Sequence, residues 1–282
     1  MTDRTSRTSR TDLSDRAGPA DRTGPTAHTA HTDHLGPVGL RTRATVVVVP
    51  GRGETRATYA RLGARLAADA YRVRVVDAPD LDTGDPSGAS ARFAARLAAA
   101  VDGIAAEDGT VRPLVLVGAD TGAAAVAALL APGAHPAAPA PDAVVLAGLP
   151  GRAATAPGAW EDELDVRTAC PVHRSTLTDD DRVRRGSLGD PVPDSLLDAA
   201  YGGTSAVPTL FLVGDADPLA DLDALLRTAT SLPRARLSVV RGAHHDVLND
   251  TQHRAVAAEI VSFLEALRDA LVPAVAVRTS AW

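Results

Sequence analysis

Pro113-Leu-Val-Leu-Val-Gly-Ala-Asp-Thr-Gly-Ala-Ala-Ala-Val-Ala-Ala-Leu-Leu130 is the stretch that decides how this chain is read. The apolar run Leu114 to Val117 has the length of a buried strand, and it breaks at Gly118. An Ala-rich helical run begins just after Gly122. Strand, tight turn and helix thus follow one another within eighteen residues. The glycines at 118 and 122 admit a close strand-to-helix approach that larger side chains would block, and they flank one strained central residue. That central residue is Asp120.

Outward from this unit, strand and helix signals alternate. Thr45 to Val49 is a β-branched strand that runs into Pro50-Gly-Arg-Gly-Glu54, and helical spacing follows through Tyr59, Leu62 and Leu66. Arg72 to Val76 is the next strand, with a helix from about 89 to 106. Strands are expected at Ala143 to Ala147, Thr209 to Val213 and Arg236 to Val240, with helices at about 219–231 and 252–269. Repeated strand–helix units predict an α/β fold, a mostly parallel doubly wound sheet covered on both faces. Ligands of such sheets bind beyond the carboxyl ends of the strands, so the polar turns after each strand are the places to look for chemistry.

The ends and the middle differ from this pattern. Residues 1–42 are rich in Thr, Arg, Asp, Gly and Pro and carry near-repeats, Thr5-Ser-Arg-Thr-Ser-Arg10 and Asp-Arg-x-Gly-Pro at 15–19 and 21–25. They hold too little apolar surface to offset ordering entropy, and a disordered tail is expected. His28, His31 and His34 recur at every third position. A low-complexity repeat explains them more simply than a metal site. Residues 151–205 lose the strand–helix alternation and contain Trp160, Cys170, His173 and Tyr201. The core is therefore expected over 43–150 and 206–282, with 151–205 inserted as a small cap.

Composition narrows the function classes. The net charge of −6 over 282 residues disfavours a nucleic-acid partner. All 29 cationic side chains are Arg, which with the Ala excess reads as codon bias. A single cysteine, Cys170, precludes an internal disulfide. No apolar run reaches 18 residues and the N-terminus lacks the apolar segment of a signal peptide, so a cytoplasmic protein without an integral membrane segment is expected.

Four strand ends carry candidate chemistry: Pro50-Gly-Arg-Gly-Glu54, the turn at Asp120, Gly214-Asp-Ala-Asp-Pro218, and Gly242-Ala-His-His-Asp-Val-Leu-Asn-Asp250. Alone, Asp120 reads equally as a helix cap, Asp215 and Asp217 as turn formers, and His244 and His245 as loop residues. Together, and in this order, they form a nucleophile, an acid and a histidine, each after a predicted strand.

On these residues the chain resembles the α/β-hydrolase superfamily, nearest to its lysophospholipase and monoacylglycerol-lipase-like (serine aminopeptidase S33 type) branch. The resemblance rests on Gly51-Arg52-Gly53-Glu54 with Tyr59, and on Gly242-x-x-His245-Asp246-x-x-Asn249-Asp250. It spans about residues 44–270 and implies an α/β-hydrolase fold with a nucleophile elbow at Asp120, His245 as the catalytic histidine and Asp217 rather than Asp215 as its acid. It also implies an oxyanion hole from the N–H groups of Arg52 and Thr121. Two positions depart from the branch: Pro50 replaces a His, and Asp120 replaces the nucleophilic Ser.

Asp at the elbow is similar to haloalkane dehalogenases and epoxide hydrolases, although Thr121 stands where those families usually have Trp. A carboxylate needs no base to attack an sp³ carbon, and His245 with Asp217 would then direct water onto the resulting ester. The expected activity is hydrolysis of a small or medium apolar substrate (ester, epoxide or haloalkane) through a covalent Asp120 intermediate, with no cofactor or metal. The alternatives are a non-catalytic binding protein on a retired hydrolase scaffold, and a proton-transfer or lyase reaction at Asp120.

Overall fold

The computed structural model describes residue 1 and residues 31–80, 83–104, 109–131, 135–152 and 157–275. Seven strands form one sheet: β1 (His31–His34), β2 (Thr45–Val49), β3 (Arg72–Val76), β4 (Leu114–Ala119), β5 (Ala143–Ala147), β6 (Thr209–Gly214) and β7 (Ala235–Val240). Their order is β1-β3-β2-β4-β5-β6-β7, and all neighbours are parallel except β1, which runs antiparallel to β3. The helices are α1 (Ala60–Ala68), α2 (Pro86–Asp102), α3 (Asp120–Leu129), α4 (Trp160–Arg167), α5 (Pro171–Asp179), α6 (Asp194–Gly202), α7 (Leu222–Ser231) and α8 (His253–Leu267).

The period of two along each central strand divides the core into two layers. Val46 and Val48, Val115 and Val117, and Leu210 and Leu212 face α1 and α8, packing with Leu62, Leu66, Ile260 and Phe263. Their neighbours Val47 and Val49, Leu114 and Leu116, and Phe211 and Val213 face the other side, against Phe93, Leu97, Ala123 to Ala127 and Leu225. A strand buried on both faces has no polar alternation, which is why β2, β4, β5 and β6 read as unbroken apolar runs. Helix starts follow local chemistry. Asp85 accepts the Gly88 N–H at 2.9 Å ahead of Pro86, and Asp221 accepts the Ala224 N–H at 2.8 Å.

The expected tail is corrected at its C-terminal end. His31–His34 forms the edge strand β1, in register with Val76 to Val73. Arg74 in β3 explains the docking: its side chain is 4% exposed, and Asp33 accepts from its Nε and Nη2 at 2.6 Å each. A buried guanidinium needs an acid, and the segment supplies one while pairing an open sheet edge. His31 and His34 therefore sit on an ordered strand; His28 and the repeats at 5–10 and 15–25 lie outside the described residues.

The interval 151–205 carries α4, α5 and α6. Trp160, Leu164, Leu177 and Val183 form a small separate core in it. The last helix, α6, belongs instead to the outer layer, with Ala200 and Leu196 packed on the α2–α3 side of the sheet. No helix among the described residues is long and apolar enough to cross a membrane.

Candidate active site

Asp120 begins α3 directly after β4, with φ at +47°, a left-handed backbone that non-glycine residues rarely adopt. The turn is held by contact. A Cβ on Gly118 would meet Ala123 Cα at 2.6 Å, and one on Gly122 would strike the carbonyl of Pro50. Both flanking glycines are therefore required by close backbone approach. The alanines behind them, Ala123 and Ala124, are fully buried.

The four strand ends converge. His245 Nδ1 lies 2.9 Å from Asp217 Oδ2, and its Nε2 lies 3.3 Å from Asp120 Oδ1. The first contact is a hydrogen bond. The second is an ion-pair separation without hydrogen-bond alignment, so charge links the two groups rather than a directed bond. Asp217 is fixed in turn by accepting the Leu219 N–H at 2.9 Å. Asp215 and His244 turn away: Asp215 accepts the Gly242 N–H at 2.6 Å, and His244 Nδ1 pairs with Asp250 Oδ2 at 3.0 Å.

Arg52 departs from the expected arrangement. Its backbone N–H does point into the site, but it donates to Asp120 Oδ2 at 2.8 Å, so the anticipated oxyanion donor already holds the carboxylate. Its guanidinium adds a fork, Nε to Oδ2 at 2.9 Å and Nη2 to Oδ1 at 2.9 Å. Nη1 donates to the carbonyls of Leu188 at 3.0 Å and Asp190 at 2.7 Å, which ties the inserted segment to the same group. Thr121 is buried beside Asp120 and lines the adjoining cleft together with Arg52.

Arg52, Asp120, His245 and Asp217 form a buried chain of alternating charge. Burial alone would push Asp120 up, but the Arg52 charge and the facing His245 hold it well below the ordinary carboxylate range. Burial alone would push His245 down; the charge of Asp217 and then Asp120 raise it to about 10. So raised, the imidazole of His245 favours its protonated form between the two carboxylates near neutral pH.

A second buried network supports the first. Arg167, with no exposed surface, donates to Glu163 at 2.9 Å, to the Arg52 carbonyl at 2.8 Å and toward Asp246 at 3.4 Å. His173 Nε2 lies 2.8 Å from Asp246 Oδ2, and Tyr59 donates to Glu54. Burial and then the charge of Asp246 push Glu54 up to about 7, and its Oε1 has no partner among the described residues. Glu54, His173 and Asp246 offer possible metal-ligand atoms within 4.8 Å of one another. Gly51 N–H and Tyr59 hold Glu54 through Oε2, and His173 and Asp246 hold each other, so these contacts brace the inserted segment against the core. Arg167 had no signal in the sequence, because nothing in a lone helical Arg tells that its charge is buried.

The cleft bordered by Arg52 and Thr121 is about 660 Å³ and also takes in Asp80, Arg182, Arg184 and Asp190. It is lined by charged side chains, contrary to the expected apolar site. A more hydrocarbon-lined groove of about 330 Å³ lies between α2, α3 and α6, beside Phe93 and Leu196, and Asp120 lines neither space. Tyr201 donates to the Pro150 carbonyl at 3.1 Å, and Trp160 packs in the small core under Arg185.

Strand order, elbow and converging loops are those of an α/β hydrolase. Residues 46–259 match the Alpha/beta hydrolase family, and the chain belongs to it; the hydrolase class expected from the sequence agrees with that membership. Among solved structures it is similar to a soluble variant of monoglyceride lipase from Saccharomyces cerevisiae, at 14% identity and TM-score 0.64, covering 84% of this chain and 91% of the other. It is also similar to the monoacylglycerol lipase of Paleococcus ferrophilus (18%, TM-score 0.63, 84% and 98% covered). A third similar structure is YbtT, the type II thioesterase of the yersiniabactin pathway (17%, TM-score 0.53, 84% and 99% covered). No curated protein matches the chain by sequence.

Proposed function

We propose that this chain hydrolyses a small molecule through a carboxylate nucleophile, Asp120, with His245 and Asp217 completing the reaction. The observation that carries the reading is the placement of His245, 3.3 Å from Asp120 and 2.9 Å from Asp217, at the strained elbow. Asp120 Oδ1 attacks an sp³ carbon, and the bond to the leaving group breaks with its electron pair. An oxygen leaving group takes the Nε2 proton of His245; a halide departs as the anion and that proton passes to solvent. Asp120 is now a neutral ester, so His245 has lost one of the two charges that kept it protonated.

The neutral imidazole, oriented by Asp217, then takes a proton from water as the water oxygen adds to the Asp120 acyl carbon. The Arg52 N–H, already on Oδ2, stabilises the negative charge that develops there. Collapse expels the product oxygen, which came from Asp120, and the proton of the added hydroxyl passes to it. The neighbours named as lipases and a thioesterase act on acyl groups. Attack of Asp120 on an acyl carbon would instead give an anhydride, which favours alkyl over acyl chemistry here.

One observation favours a second reading. The guanidinium fork of Arg52 covers the oxygen that would attack, as expected of a non-catalytic scaffold closed by its own ion pair. A panel of haloalkanes, epoxides and esters, tested on wild type and Asp120→Ala, decides between them. The proposal expects turnover that Asp120→Ala abolishes. In a single turnover in ¹⁸O-water the label should enter the Asp120 peptide and not the product. Label entering the product directly would refute the covalent route, and inactivity across the panel would favour the second reading.

A further inference from the structure

Arg52 and Asp120 neutralise each other in a region with almost no solvent: their side chains are 5% and 3% exposed. Over the four charged groups, with His245 protonated, the sum is zero. Two events in the proposed reaction disturb that balance. Oδ1 must first shed Nη2, 2.9 Å away, before it can approach a carbon. Ester formation then removes the Asp120 charge altogether. Until then Nε keeps its bond to the Oδ2 of the charged group, and ester formation leaves the Arg52 guanidinium with only neutral partners, the ester oxygen and the carbonyls of Leu188 and Asp190. A buried cation stripped of its acid is strongly destabilised, and a neutral apolar substrate brings nothing to replace the lost carboxylate.

We infer that the ligand of this site is a small organic carboxylate, which takes over the guanidinium fork of Arg52 and frees Asp120 Oδ1. The fork suits a carboxylate, because two parallel N–H groups meet two oxygens. The neighbouring space is polar: Arg52 opens onto the cleft of about 660 Å³, whose walls include Arg182 and Arg184 beside Glu54, Asp80 and Asp190. Binding adds one negative charge while Asp120 is still ionised. Alkylation of Asp120 then removes one, so with His245 protonated the bound anion returns the sum to zero. The substrate is then an acid whose reacting sp³ carbon lies within a bond or two of its carboxylate. This inference deepens the Asp120 reading, but its binding part does not depend on it.

The experiment uses the full chain and two matched pairs: butanoate with butanamide for binding, and 2-bromobutanoate with 2-bromobutanamide for chemistry. Calorimetry should find butanoate binding to wild type and at least tenfold weaker binding of butanamide. Arg52→Gln should erase that preference, and Arg52→Lys, which keeps the charge without the fork, should keep part of it. Asp120→Asn, which removes the internal competitor, should bind butanoate at least tenfold more tightly than wild type. In the His245→Gln variant, mass spectrometry should find the bromobutanoate adduct on the Asp120 peptide, formed at least tenfold faster than the amide adduct. In that step the Asp120 oxygen bonds to C2 and bromide leaves with its electron pair.

Absence of butanoate binding to wild type, or no gain in Asp120→Asn, overturns the inference. Alkylation of Asp120 by the amide at the same rate overturns it while leaving the nucleophile reading intact. Arg52-dependent butanoate binding with no adduct from either bromide supports the anion site and sinks the nucleophile reading.

Discussion

At the scale of single residues, the adjacent pair His244–His245 shows how little the chain separates groups that the fold treats in opposite ways. His245 is buried between two carboxylates, and His244 is partly exposed and bonded to Asp250. If the proposed reaction operates, His245→Gln lowers kcat by at least about a hundredfold, the usual size of a lost general base. His244→Gln leaves most of the activity. Equal losses, measured side by side on the same substrate, would mean that the loop acts as a unit. The same scale explains why Arg52 escaped notice as a side chain. Gly-rich turns after a strand draw attention to their backbone N–H groups, while the guanidinium finds its partner 68 residues away.

At the scale of elements, β1 shows what a low-complexity segment can contribute. Its composition lacks apolar periodicity, yet its backbone completes the β3 edge and Asp33 neutralises Arg74. Asp33→Ala should cost about 2 kcal/mol, the worth of a hydrogen-bonded charged partner, and lower Tm by roughly 5 °C in a domain of this size. Deletion through residue 40 should lower Tm further than deletion through residue 30. The comparison is made by thermal unfolding at one protein concentration, and identical melting temperatures would mean that β1 adds nothing to the fold.

At the scale of the whole molecule, the two buried networks make stability depend on pH in opposite directions. Asp120 and Asp246 are held below the ordinary value of 3.8, so their contribution is full above it and is lost as pH falls. His245, raised from 6.5 to about 10, contributes fully below 6.5 and loses its contribution as pH rises through 10. Glu54 is an acid raised from 4.5 to about 7, so the folded state binds the extra proton and stability falls across that interval. Glu54→Gln should therefore narrow the drop in Tm between about pH 5 and pH 8, and His245→Gln should narrow it between about pH 7 and pH 10. An unchanged slope in either variant would show that the group titrates alike in the folded and unfolded chain.

The strands, the helices and the elbow were legible because each follows from short-range rules. Buried parallel strands read as apolar runs, glycines mark where backbones touch, and one histidine and one acid in order after strand ends point to a site. Hence β2 to β7, the α/β class and the turn at Asp120 could be stated from the chain, while the choice of Asp217 over Asp215 and of His245 over His244 came from the family resemblance. Burial and partnership could not, since they depend on what distant segments bring to one point. The sheet brings Arg52 onto Asp120, α4 sends Arg167 beneath the first turn, and Asp33 meets Arg74 across an antiparallel edge. The sequence by itself determined where the candidate site lies. The tertiary structure decided its charge state, because only burial makes each of these ions depend on a neighbour far along the chain.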